Sequence, residues 1–159
     1  MACRSRGFAD VSHAQTVHLL KITLRGTKPP VWRRVVIASN ATLPQTSAAQ
    51  TLHKLAPAGS RFSYTYDFGD DWVHAVEVEK LMPVDVGATY PASIAGRRAC
   101  PPEDCGGSSG LRQLLAASAD RAHEDHDAKL EWIGGSFHPE AFDPTEFEQR
   151  LEDRPVFDD

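Results

Sequence analysis

The stretch from Arg61 to Leu81 constrains the fold more than any other part of this chain. Phe62, Tyr64 and Tyr66 fall at alternate positions, and Asp67-Phe68-Gly69-Asp70-Asp71 interrupts them. Trp72, Val76 and Val78 then lie opposite Glu77 and Glu79. A side-chain period of two belongs to extended backbone with one face buried. Glycine accepts positive φ, and aspartates bond back to turn amides. The segment therefore reads as a β-hairpin, and aromatic residues at both ends make it a centre of stability.

Two earlier segments follow the same period. In Val17 to Arg25, Leu20, Ile22 and Leu24 face one way, and Lys21, Thr23 and Arg25 the other. Gly26-Thr27-Lys28-Pro29-Pro30 ends this strand, because proline lacks a ladder donor. Val31 to Ile37 resumes with Val31, Val35 and Ile37 on one side, and the two strands read as a hairpin or wide β-connection. Ser39 to Gly59 has no firm period and reads as a short helix or irregular link. After Pro83 the chain reads as a loop as far as Cys100.

Three helical segments come last. Leu111, Leu114 and Leu115 form a stripe after Gly110, and His123 to Ile133 follows. A third begins where Asp143 suits N-cap, Pro144 N1 and Glu146 the reciprocal capping position, with Phe147 and Leu151 on its inner side. Strands first and helices later predict an α+β fold. The expected architecture is an antiparallel sheet of about four strands, covered on one side by about three C-terminal helices, with a shortened internal segment.

The 159 residues are 41% hydrophobic and 25% charged, which suits one globular domain. Residues 17–154 are assigned to it, and residues 1–16 to a flexible lead-in. The start of the chain has no apolar signal region, and no apolar run is long enough to span a bilayer. A soluble, cytoplasmic protein is expected, with Cys100 and Cys105 as a reduced dithiol, Cys3 in the lead-in and no membrane partner. The net charge of −5 is unevenly spread. Residues 1–60 carry eight Lys or Arg against one acid, Asp10, which leaves residues 61–159 at −12. A basic N-terminal part raises nucleic-acid contact through Arg33 and Arg34 as one reading. The basic residues lack interleaved stacking aromatics, and a strand pair beside acidic neighbours gives the same asymmetry.

The densest chemistry lies in Arg97-Arg98-Ala99-Cys100-Pro101-Pro102-Glu103-Asp104-Cys105-Gly106-Gly107. Cys100 and Cys105 with His123 and His126 offer a zinc ligand set, although the cysteine spacing is looser than a short knuckle and Pro101-Pro102 stiffens the loop. The same spacing does not match a thioredoxin-like dithiol. A rigid packing turn, with Gly106 and Gly107 admitting the next helix, explains these residues without any ligand. A second cluster is polar: Asp67, Asp70, Asp71 and His74, with Glu103 and Asp104 in the loop. It could attract a divalent cation, but it is not a twelve-residue calcium loop, and turn bonding accounts for the aspartates equally well. No phosphate-cradling loop or serine nucleophile elbow is present.

Four motifs in this order, LRGTKPPVWRR (24–34), YTYDFGDDW (64–72), RRACPPEDCGG (97–107) and LEWIGGSFHPEAF (130–142), resemble the plasmid pRiA ORF-three-like family across roughly residues 17–150. The resemblance implies a compact α+β domain with no established biochemical activity. Some relatives carry a resolvase label or a fused DNA-binding domain, but no resolvase serine arrangement carries over. It marks Pro29, Pro30, Trp32 and Arg33; Asp67, Phe68, Gly69, Asp70 and Trp72; Cys100 to Asp104 with Gly106 and Gly107; and Trp132, Gly134, Gly135, Phe137 and Phe142. Trp32, Phe68, Gly69, Trp72, Pro101, Pro102, Gly106, Gly107, Trp132, Gly134 and Gly135 are expected to act structurally. The family places a helix and a further strand after the Arg33-Arg34 strand, and Ile37 to Thr51 is too short for both. Such a loss leaves an edge unpaired unless a neighbour slides across or a partner supplies it. The functional expectation is a non-enzymatic interaction or regulatory module without a catalytic residue or a cofactor. The partner is unknown, a protein being one class. The alternatives are a nucleic-acid-associated protein and a metal-dependent enzyme using Asp67, Asp70 and His74 or the two cysteines.

Overall fold

The computed structural model describes residues 16–41 and 51–145. Residues 1–15 of the expected lead-in, residues 42–50 of the link and the continuation of the last helix from Glu146 lie outside them. Among the described residues the chain forms β1 (Thr16–Leu24), β2 (Trp32–Ala38), α1 (Leu52–Leu55), β3 (Arg61–Tyr66), β4 (Trp72–Pro83), β5 (Ala92–Arg97), α2 (Gly107–Ala119) and α3 (His126–Trp132). All five strands join one antiparallel sheet in the order β3-β4-β1-β2-β5. The architecture is α+β, with an antiparallel sheet packed against helices that lie mainly C-terminal.

Cross-strand register assigns the two faces. Leu20 lies opposite Val35 and Val78, and Ile22 opposite Val76, which itself faces Phe62. This is the helix-covered face. Leu52 and Ala56, from α1 and its end, close over Leu20, Val76 and Val78. Leu111 of α2 packs with Leu24, Val31 and Trp72, and Phe137 and Leu115 extend that cluster. Among the described residues the opposite face is covered at one end only, where Tyr90 and Val84 from the β4–β5 connection pack on Val17, Val36 and Met82.

The register of β1 against β4 shifts between Leu19 and Leu20, where Glu79 is the extra residue. A bulge of this kind advances the alternation by one position. Leu81 consequently reaches the helix-covered core and Met82 the other face. A fifth strand, β5, occupies part of the segment that reads as a loop. Its register on β2 also shifts, so Ile94 interrupts the period in a run of small residues. Helix α2 begins at Gly107, a turn earlier than its leucine stripe predicts. Pro144 and Thr145 start a helical turn, and Asp143 Oδ1 accepts the Thr145 amide at 2.8 Å, the bond expected of an N-cap.

His18 is fully buried at the junction of β1, β2 and α1. Its Nε2 lies 3.0 Å from the Ala56 carbonyl and must donate there. Its Nδ1 therefore accepts from Ser39 Oγ at 2.8 Å, and Ser39 Oγ in turn accepts from Thr16 Oγ1. Only a neutral imidazole satisfies this chain in its present sense.

Candidate functional site

The hairpin turn and the cysteine loop meet. Asp67 and Asp71 adopt positive φ, and Asp67 Oδ1 accepts the Gly69 amide at 2.8 Å, so the turn closes on its own side chain. Asp70 points away and accepts the Gly106 amide at 3.2 Å through Oδ2. Gly107 has φ +64, and a Cβ there would collide with the Asp70 carbonyl oxygen. A Cβ on Gly110 would strike the Cys105 carbonyl in the same way. The glycines thus let the start of α2 press directly against the turn. Tyr66 extends the junction, its hydroxyl 3.5 Å from Glu103 Oε2, and the Glu103 charge raises its pKa.

Cys105 is half-buried here, and burial together with the Asp70 charge raises its pKa above the ordinary thiol value. It remains a thiol at neutral pH, which suits packing beside Leu111 and Phe137 better than nucleophilic attack. Cys100 is exposed and accepts a bond from Arg33 Nη2 at 3.3 Å. His126 Nδ1 bonds the Ala117 carbonyl at 2.8 Å, and His123 Nδ1 accepts the Asp125 amide at 3.1 Å. Both rings serve the α2–α3 connection. His74 donates from Nδ1 to the Trp72 carbonyl, and burial lowers its pKa. Among the described residues, no three His, Cys, Asp or Glu side chains are grouped so as to hold a metal ion. The structure therefore joins Asp70 to the cysteine loop but does not bring His123 or His126 to it as ligands.

The remaining motif residues fasten the C-terminal segment to the sheet. Arg33 Nη1 donates to the carbonyls of Trp32 and Arg97, and its guanidinium lies 4.6 Å from the Phe142 ring centroid. Gly96 leaves room for this stack, since a Cβ there would meet both Phe142 and Arg33. Arg98, which sequence reasoning did not single out, is buried. It donates to the Pro29 carbonyl and pairs with Glu140 at 2.8 Å. Pro101 and Pro102 are half-buried in the loop, while Phe68 at the hairpin tip and Trp132 at the end of α3 are exposed. Gly134 and Gly135 both take positive φ after α3, which lets the chain reverse there.

Arg34 lies on the other face, away from Arg33. Its guanidinium grips Glu79 with two bonds of 2.8 and 2.9 Å, and this pairing lowers the Glu79 pKa. The same face presents Lys21, Arg25, Arg61, Lys80 and Arg97, with Glu77 and Glu79 as the acids among the described residues there. Arg61 pairs with Glu77 at 2.8 Å. Lys21 and Arg34 stand 5.6 and 5.3 Å from the Trp32 ring centroid. Lys21, Thr23, Arg25, Arg61, Ser63 and Glu77 line an open groove of about 310 Å³ across β3, β4 and β1. Small side chains at Thr23, Ser63 and Ala75 form its floor. Sequence reasoning missed this groove because its cations, Lys21 and Arg25 at β1 and Arg61 at β3, come from two strands distant along the chain.

An antiparallel sheet with one helix-covered face and a loop locked on its hairpin turn defines the class. The family model described as plasmid pRiA4b ORF-3-like protein matches residues 44–146, and the chain belongs to that family. The match is narrower than the motif resemblance, because it leaves out β1 and β2. The chain is 44% identical over 80 residues to an uncharacterized protein, y4hQ, of Sinorhizobium fredii, a stretch covering 50% of this chain and 41% of that protein. It thus spans less than half the length of this curated relative. Its fold is similar to the crystal structure of a protein of unknown function, MM3350, from Methanosarcina mazei Go1. That comparison has a TM-score of 0.73 at 29% identity and covers 84% of this chain and 98% of that one.

Proposed function

We propose that this domain is a non-enzymatic interaction module that engages an acidic partner through the open face of its sheet. The observation that carries this reading is the segregation of charge: a chain of net charge −5 gathers six basic side chains and two carboxylates on one face. Lys21 and Arg25 line the groove with no carboxylate paired to either among the described residues. Such a surface attracts anions through its summed field and holds them most firmly at low salt.

An acidic protein segment fits better than a nucleic acid. Single strands are held by bases stacked on free aromatic faces, whereas Trp32 is flanked by Lys21 and Arg34. Arg33, half of the basic pair in the nucleic-acid reading, is engaged on the opposite face with Phe142. Titration with a poly-glutamate peptide and with oligothymidylate across a salt series tests this. Binding of the peptide that weakens with salt and is lost in Lys21→Glu/Arg25→Glu supports it. Preference for oligothymidylate favours nucleic-acid association instead, and binding of neither probe removes the reading.

A further inference from the structure

Among the described residues, β3 lies at one end of the sheet and pairs on one side only. It lacks the devices that usually keep edge strands apart. Its six residues include one charge, Arg61, and no proline, and its ladder to β4 runs without a bulge. Phe62, Tyr64 and Tyr66 project to one face and remain 40%, 50% and 46% exposed. The Val78 amide donates to the Ser60 carbonyl at 2.9 Å. Backbone groups alternate in direction along a strand, so Phe62, Tyr64 and Tyr66 bond inward to β4. Arg61, Ser63 and Thr65 then present their N–H and C=O groups outward.

We propose that this edge pairs with the same edge of a second copy, antiparallel about a two-fold axis through Tyr64. The strand is complementary to its own reverse. In this register Ser63 faces Thr65 of the copy at the hydrogen-bonded positions, where both strands offer free backbone groups. Phe62 faces Tyr66, and Tyr64 faces its own equivalent, at the non-hydrogen-bonded positions, where side chains approach most closely. Arg61 comes opposite Asp67. Asp67 uses Oδ1 for the Gly69 and Asp70 amides, which leaves Oδ2 for this contact. Arg61 spends one nitrogen on Glu77 and keeps further N–H donors. Of the two neighbouring in-phase registers, the one centred on Ser63 leaves Tyr66 unmatched and sets Arg61 against Thr65, and the one centred on Thr65 sets Ser63 against Asp67 and Arg61 against Gly69 in the turn. Because the pairing is reciprocal about the axis, the interface closes as a dimer and five strands from each copy form one continuous sheet. This inference does not rest on the acidic-partner reading, since it uses the edge of β3 and not the open face.

Sedimentation across a concentration series, with oxidative cross-linking of the full chain, tests it. A dimer is expected, and Tyr64→Cys should trap it as a disulfide, because paired Cα atoms at such positions fall in the disulfide range. Phe62→Cys, set away from its own equivalent, should cross-link no more than the wild-type cysteines do. Ser63→Pro removes an outward amide and no bond to β4. It should weaken the dimer about tenfold or more while the circular dichroism is retained. A chain that sediments as a monomer throughout, with or without another molecule on this edge, overturns the proposal. So does a dimer that cross-links no better at position 64 than at 62.

Discussion

At the residue scale, two buried details carry the most checkable consequences. Burial holds the His18 pKa below its ordinary 6.5, and the bonds to Ala56 and Ser39 suit the neutral ring. His74 is lowered for the same first reason. The unfolded chain therefore takes up protons below about pH 6.5 that the folded chain refuses. The stability present above that pH is lost as pH falls from 6.5 through the depressed folded values. Thermal melting between pH 7.5 and 5 should show this decline, and a His18→Gln variant should show less of it. Gly107 is the second detail. Gly107→Ala places a methyl group against the Asp70 carbonyl at positive φ, and a loss of roughly 2–4 kcal/mol is expected in denaturant unfolding. The sequence marked Gly107 as the residue that lets the helix approach, but not the hairpin turn as the surface it approaches. His18 carried no such mark, because a histidine in an alternating strand looks like any polar interruption.

At the element scale, the hairpin of β3 and β4 follows directly from its alternation, since period two is a local property of extended backbone. Trp72 begins β4, and its burial with Leu24, Val31 and Leu111 ties the hairpin to β1 and α2. Trp72→Ala should cost about 3–5 kcal/mol in equilibrium unfolding. The bulge at Glu79 can be altered at its side chain or at its backbone. Glu79→Ala removes a half-buried ion pair held by two bonds and should lower the melting temperature by only a few degrees. Deleting Glu79 makes the ladder regular but keeps Lys80 opposite Leu19 and Leu81 opposite His18, so Leu81 stays in the core and the melting temperature should fall by only a few degrees. Strand β5 escaped the sequence reading for the same physical reason. Its bulge and its Ala, Ser and Gly residues leave no period to detect, and pairing with β2 alone makes it a strand.

At the scale of the whole molecule, charge and topology act together. Raising salt should weaken binding of an acidic peptide far more than it shifts the melting temperature, because the face holds an excess of cations while the core is apolar. Comparing the two salt dependences on one sample checks this. No helix among the described residues is long and apolar enough to cross a membrane. By itself the sequence determined the α+β class, four of the strands, the hairpin turn and the motifs that mark the family. All of these reside in short-range periodicity and turn chemistry. Only the tertiary structure decided that Asp70 meets the cysteine loop, that Arg33 and Arg34 part to opposite faces, and that β3 is left as an open edge. Those outcomes depend on which strands become neighbours, and neighbours distant along the chain leave no period within it.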